Sequence, residues 1–221
     1  MGILGVYNEE LNMNQLSFRK NKLLFFVLII FTVIFFPGCS KVGKISDQGW
    51  MTENLNVDHY RNGDPIPEVK DSAAWSKLKT GAWCYYQNDQ ENGKKYGKLY
   101  NWYAVNDPRG LAPKGWHIPT KNAFDNLIET VQGDGNALKA IGQGTGAGAG
   151  TNTSGFSALL SGCRYHDGNF LSLGYYTTFW SSTELYNYSA YNMYVYYYYG
   201  DVNVFYNGLK GSGFSVRCVK D

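Results

Sequence analysis

Residues 175–209 read YYTTFWSSTELYNYSAYNMYVYYYYGDVNVFYNGL and hold more than half of the chain's 19 tyrosines. Asn, Ser, Asp and Gly separate them, aliphatic residues are scarce, and no Lys or Arg occurs before Lys210. A core strand needs Val, Ile, Leu or Phe on at least one face, so this run suits a surface better than a central sheet. Tyrosine with small polar residues is also what binding loops use: broad, rigid contact area at low entropic cost, with adaptable hydrogen bonds beside it. Over residues 193–198 a period of two puts Met193, Val195 and Tyr197 on one face and Tyr194, Tyr196 and Tyr198 on the other. The second set is expected to face solvent, joined by Tyr186, Tyr188, Tyr199, Asp201, Asn203, Phe205 and Tyr206. Tyr191, next to Ala190, reads as framework. A slip of one residue swaps the faces, and the competing arrangement is a two-sided aromatic sheet whose tyrosines cover the fold. An exposed aromatic cluster of this size marks an interaction site, and its ligand is a protein or a glycan, since tyrosines serve both.

The totals narrow the classes further. A formal charge of +2 over 221 residues gives no basic face for phosphates, so no nucleic-acid partner is expected. The histidines, His59, His117 and His166, have no metal-ligand spacing. No metal, no cofactor and no catalytic constellation is expected: His117 lacks an identifiable nucleophile and reads as a hydrogen-bonding residue. Asp167 and Asp201 read as turn residues, and Arg164 and Arg217 as framework groups binding carbonyls or acids. Abundant Gly and aromatics with few Pro suit short strands and many turns.

Residues 1–39 read as a leader, with 13 as an alternative start at Met13. Arg19, Lys20 and Lys22 precede an apolar run over 23–36 that is too short to span a bilayer comfortably. The run ends Phe36-Pro37-Gly38-Cys39-Ser40, which resembles the lipobox of bacterial lipoproteins, with Phe36 and Pro37 departing from the usual pattern. The resemblance implies lipidation of Cys39 and attachment to a membrane through that anchor, without a spanning helix. Residues 40–44 read as a linker and 45–221 as one domain.

Within the domain, Thr120 is expected to cap a helix running to about Val131, with Phe124, Leu127, Ile128 and Val131 on its buried face. A second main helix is expected over 96–105, from Leu99, Trp102, Tyr103 and Val105. Shorter helices are expected over 72–79 and 136–141, and strands over 49–56, 82–86, 155–159, 162–165, 179–182 and 213–220. The last alternates apolar and polar residues, as a half-buried strand does. Residues 88–94 and the glycine-rich 142–150 read as loops, and Asp167-Gly168-Asn169 as a hairpin turn. Two helices among many short strands make an α+β domain.

A series of strings, WMTENLN, NGDPIP, WCYY, YGKLYNWYAV, APKGWHIPT, TNTSGFSALLSGCRY, FWSST and GFSVRCVKD, resembles the Fibrobacter succinogenes major paralogous domain over about 45–221. That resemblance implies a C-type-lectin-like or formylglycine-generating-enzyme-like fold with antiparallel strands. It also implies a cell-envelope location, lipid-anchored at the outer membrane or cell surface of a Gram-negative bacterium. Residues 186–209, framed by Phe179-Trp180-Ser181-Ser182 and Gly213-Phe214-Ser215-Val216-Arg217, also resemble the variable proteins of diversity-generating retroelements. In those proteins adenine-directed mutagenesis of Asn codons yields this residue spectrum on a surface binding site. Neither the Glu-Pro-Asn nor the Trp-Asn-Asp string of calcium-dependent lectins is present. Cys84, Cys163 and Cys218 leave an odd count after Cys39; a Cys163–Cys218 disulfide is expected, with Cys84 a buried free thiol. Two further classes stay open: an undiversified envelope structural or assembly lipoprotein, and a cysteine-dependent oxidase like the formylglycine-generating relatives.

Overall fold

The computed structural model describes residues 49–221; the leader, Cys39 and the linker lie outside them. The chain forms α1 (Ser72–Ser76), β1 (Trp83–Cys84), α2 (Gln90–Tyr96), β2 (Leu99–Tyr100), α3 (Trp102–Val105), β3 (Trp116–His117), α4 (Lys121–Thr130) and α5 (Gly135–Leu138). There follow β4 (Cys163–Arg164), β5 (Phe170–Leu171), β6 (Tyr176–Tyr186), β7 (Ser189–Tyr196), β8 (Val202–Leu209) and β9 (Val219–Lys220). Four small antiparallel sheets result: β1–β2, β3–β9, β4–β5 and the three-stranded β6–β7–β8. The fold is a mixed helix and antiparallel-strand one, as expected, with five α-helices among the described residues against the two main and two shorter ones expected.

Local chemistry explains both the agreements and the departures. Thr120 caps α4 by accepting from the Ala123 amide, and Phe124 and Leu127 are fully buried on its inner side. The helix expected over 96–105 forms only over Trp102–Val105. Asp89 caps a different helix upstream, α2, which stops at Gly97 with φ +75; Asn101 then caps α3, leaving Leu99–Tyr100 extended between them. So 88–94, read as loop, is largely helical. The helix over 136–141 ends at Leu138, and Ile141 is 79% exposed. Residues 155–159 make a single bridge, Lys139 to Ala158, instead of a strand, and only Trp83–Cys84 of 82–86 pairs. Likewise 49–56 pairs as a strand only at Trp50, against Val219.

The closing segment departs most. Residues 212–218 are buried throughout, not half-buried. Gly213 bridges Arg164, Phe214 bridges Tyr100 and Ser215 bridges Phe179, while Leu55 and Met51 donate to the Val216 and Cys218 carbonyls. Neighbours on both sides leave no solvent face for the polar alternates, so Ser215 bonds Ser161 and Asn54 and Arg217 bonds Asn54 and the Phe156 carbonyl. One apolar cluster, around Trp83, Tyr100, Trp102, Trp180 and Phe214, lies to one side of the large sheet. A second, with Phe124, Leu127, Phe179, Met193 and Val195, lies to the other.

Candidate functional site: a tyrosine-bearing sheet face and its loop

The tyrosine-rich run folds as β6–β7–β8, with Tyr176 opposite Tyr196, Thr178 opposite Tyr194, Trp180 opposite Asn192, and Asn192 in turn opposite Phe205. Met193 and Val195 of β7, Phe179 of β6 and Val202 of β8 are buried in the cluster that contains Phe124 and Leu127 of α4. The alternate residues, Tyr194 and Tyr196 of β7 among them, take the opposite face, as the period of two requires. Tyr197 departs from the expected inward set. Strand β7 ends at Tyr196, so alternation stops, and the Tyr197 ring packs on Tyr175 and Tyr196 at the surface.

That opposite face borders an open cavity of about 390 Å³, which Tyr176, Thr178, Asn192, Tyr194 and Phe205 line from the strands and Tyr165 and Phe214 from beside them. Tyr176 and Tyr194 have ring centroids 5.1 Å apart at 41°, and Phe205 stands edge-on to Tyr194 at 5.7 Å and 83°. Burial pushes the Tyr194 phenol up to about 12, with Tyr196 adding to it. Cys163 Sγ lies 3.1 Å from the Tyr176 hydroxyl at the cavity wall, and burial raises both groups' pKa values. Cys84, Cys163 and Cys218 are all free and buried. The Cys163–Cys218 bridge is therefore not formed: Cys163 is engaged by Tyr176, and Cys218 sits in the buried closing segment, its thiol pushed up to about 12 by burial.

At one end of the sheet the chain turns from β7 to β8 through Tyr197, Tyr198, Tyr199 and Gly200. The surrounding framework holds this loop by its main chain. Buried Lys139 donates to the Tyr196 and Tyr199 carbonyls at 2.8 and 2.9 Å. The Thr145 amide donates to the Tyr197 carbonyl at 3.1 Å and the Gly135 amide to the Gly200 carbonyl. Gly144 and Gly148 of the glycine-rich segment lie so close to the Tyr197 carbonyl that a Cβ on either would overlap it. Tyr198 and Tyr199 are exposed, and the Tyr196, Tyr197, Tyr198 and Tyr199 rings touch one another in series.

Nine of the ten expected ligand-contacting residues fall into three groups, and Tyr206 stands apart. Tyr194 and Phe205 meet at the cavity. Tyr196, Tyr198, Tyr199, Asp201 and Asn203 gather at the β7–β8 end, the last two exposed. Tyr186 and Tyr188 stack on each other at 5.6 Å beside the β6–β7 turn, at the opposite end of β7 from the β7–β8 loop. Tyr206, 67% exposed, lies in a bulge: between the pairs Asn192–Phe205 and Ala190–Gly208, Tyr206 and Asn207 of β8 face Tyr191 alone of β7. Residues 206–207 thus swing a side chain outward. The sequence reading missed Tyr165, Tyr176, Thr178 and Asn192 at the cavity, and Lys139 with its glycines behind the loop. For Tyr176, Thr178 and Asn192 the signal was present, since Tyr176 and Thr178 alternate with Phe179 on β6 and Asn192 with Met193 on β7. The others arrive by tertiary contact.

Elsewhere, Arg164 donates to the Val69, Lys70 and Gly168 carbonyls from a fully buried position, in keeping with a framework role. His117 Nδ1 lies 2.9 Å from an Asp221 carboxylate oxygen at the surface. Asp167 accepts from the Asn169 amide in the β4–β5 turn. Among the described residues no group of three or more His, Cys, Asp or Glu is placed to hold a metal.

In comparisons with known proteins, the model of the Fibrobacter succinogenes major domain matches residues 44–220. No curated protein and no solved structure matches the chain.

Proposed function

The chain belongs to the Fibrobacter succinogenes major domain family, and from that premise we propose that it is an exported, lipid-anchored ligand-binding protein rather than an enzyme. Its working surface is the tyrosine-rich C-terminal sheet face and loop, diversified by a retroelement and carried on a C-type-lectin-like frame. Cys39 carries the lipid and the envelope is its location. The ligand is a protein or glycan.

One observation carries this reading: the framework grips the β7–β8 loop by carbonyls and amides while Tyr198 and Tyr199 stand exposed. A loop held by its main chain accepts different side chains without losing its path, which is what a surface with changeable residues requires. The competing reading, an envelope assembly protein, needs the same tyrosines buried against a partner.

The test compares the purified full chain with a variant carrying Tyr186, Tyr188, Tyr198, Tyr199 and Tyr206→Ser on glycan and protein arrays. A ligand held by the parent and lost by the folded variant supports the proposal; equal retention by both refutes it. Sequencing the gene and its flanks across related isolates tests diversification. A near-copy of the 186–209 coding region beside a reverse-transcriptase gene, with differences confined to template adenines, supports it. No repeat and no focused variation ends it.

A further inference from the structure

We propose that the cavity bordered by Asn192, Tyr194, Tyr176 and Phe205 binds an uncharged pyranose ring. The inference rests on the ligand-binding reading of this face and names the ligand class for one part of it. It starts from Asn192. That side chain lines the cavity, only 4% of the residue is exposed, and its Nδ2 has no hydrogen-bond partner. A buried amide donor without a partner costs about 1–3 kcal/mol, and such groups are rare enough to require a reason. Gly208 lies across the strand pair. A Cβ there would come within 2.7 Å of Asn192 Nδ2 and 2.5 Å of the Trp180 ring, so glycine leaves the amide uncrowded. The residue forms part of the cavity wall, so a ligand filling the cavity is placed to draw this side chain into a hydrogen bond.

Charge sets the next limit. No Lys, Arg, His, Asp or Glu lines the cavity. An ionic ligand would lose hydration there with nothing to offset it, so the ligand is neutral. The polar groups offered are amides and hydroxyls, from Asn192, Asn207, Thr178 and Ser212. They match a ligand rimmed with hydroxyls. About 390 Å³ is also at the low end for small-molecule sites, which run to roughly 300–1,000 Å³.

Ring geometry separates a sugar from a flat heterocycle. A planar ligand gains most between two near-parallel aromatic faces. Here Tyr176 and Tyr194 are inclined at 41° and Tyr194 and Phe205 at 83°, so neither pair offers parallel faces. A puckered ring presents C–H groups on one face and hydroxyls around its edge. It can lie on one tyrosine while its rim reaches the amides.

The experiment is saturation-transfer NMR on the purified full chain with the neutral methyl pyranosides of glucose, galactose, mannose, xylose and N-acetylglucosamine. Glucuronic acid and glucosamine serve as charged analogues and adenosine as the planar one. At least one neutral pyranoside should bind, and the charged analogues about tenfold more weakly or not at all. Asn192→Leu removes the donor and keeps the volume. It should lower pyranoside affinity about tenfold, the worth of one hydrogen bond, with the melting temperature unchanged or raised. Asn207→Ala, at an exposed position, provides a second loss variant should Asn192→Leu misfold. The proposal is overturned if no neutral pyranoside registers, if adenosine or a charged analogue binds better, or if folded variants bind as the parent does. An array ligand lost with the outer tyrosines while no pyranoside registers sinks the cavity and leaves the surface reading standing. Pyranoside binding that depends on Asn192, in a chain whose outer tyrosines change nothing on the arrays, does the reverse.

Discussion

Lys139 and Arg164 are both buried cations that donate to main-chain carbonyls, yet they serve regions built on opposite terms. Around Arg164 the side chains do the holding. Its guanidinium spans three carbonyls and lies over the Trp75 and Phe170 rings; Trp75 Nε1 donates to the Gly211 carbonyl, Trp102 Nε1 to Ser181 and Trp180 Nε1 to Tyr100. Each of these residues is specified by shape and by the position of its donor. Around Lys139 the held groups are carbonyls of Tyr196 and Tyr199, whose rings take no part in the bonds. In one region side-chain identity is part of the fold, and in the other only the backbone path is. A binding surface can therefore change its residues while the frame stays constant.

The largest test of that contrast is Arg164→Ala. It leaves the Val69, Lys70 and Gly168 carbonyls without their donor and opens a hole between Trp75 and Phe170. A loss of about 3–5 kcal/mol is expected from urea unfolding. Arg164→Lys keeps the charge but not the planar fork and should recover only part of it. A loss under about 1 kcal/mol would mean that the frame does not depend on its side chains.

Gly148→Ala probes the grip on the loop from the other side. Its Cβ would overlap the Tyr197 carbonyl, so either the glycine-rich segment or the loop must move. Overpacking of this kind costs about 1–3 kcal/mol. Because the collision is with backbone, Tyr197→Ser should not relieve it; rescue by that second change would show that side chains, not main chain, position the loop.

Lys139→Met should cost less, about 1–2 kcal/mol. Two carbonyl bonds are lost, but so is the burden of a buried charge. Burial lowers the Lys139 pKa, with Asp134 opposing. Between that lowered value and the ordinary lysine value of about 10.4, the unfolded chain holds the more protons. The parent's advantage over Lys139→Met should then grow as pH rises through that window. Unfolding at a series of alkaline pH values reads it directly, and an advantage that shrinks would contradict the assignment.

What the sequence disclosed follows the same division. Thr120 and its apolar spacing announced α4, and alternation at Met193 and Val195 placed the inner face, because both signals are local. The caps that split 89–105 were also written there, in Asp89, Gly97 and Asn101, but the spacing of Leu99 and Trp102 imitates a helical face and outweighed them. Burial of 212–218 was hidden, since its polar residues are satisfied by partners as distant as Asn54 and Ser161. The cavity was half legible: Thr178 and Asn192 alternate with core residues, whereas Tyr165, just after β4, and Phe214, in the closing segment, reach it from distant parts of the chain. Lys139 carried no signal, because what it holds is a carbonyl that any residue supplies.

The smallest expected effect is the most demanding on the contrast. Tyr198, Tyr199 and Tyr206 are among the most exposed large side chains described, and the pairings of Tyr198 and Tyr199 are with each other and with Tyr196 and Tyr197. Surface substitutions of this kind usually lie within about 0.5 kcal/mol each. Replacing all three with Ser removes ring-on-ring contacts worth about 0.5–1.5 kcal/mol per pair at most, in a cluster open to water where part of that gain is already absent. The triple variant should therefore unfold within about 1 kcal/mol of the parent, with the main-chain bonds from Lys139, Thr145 and Gly135 intact. Amide hydrogen exchange at Thr145 and Gly135, whose N–H groups donate into the loop, checks the second half of that statement. Unchanged protection with unchanged stability leaves the loop's path independent of its tyrosines. Faster exchange at both amides would mean that the aromatic cluster, and not the framework, sets the path.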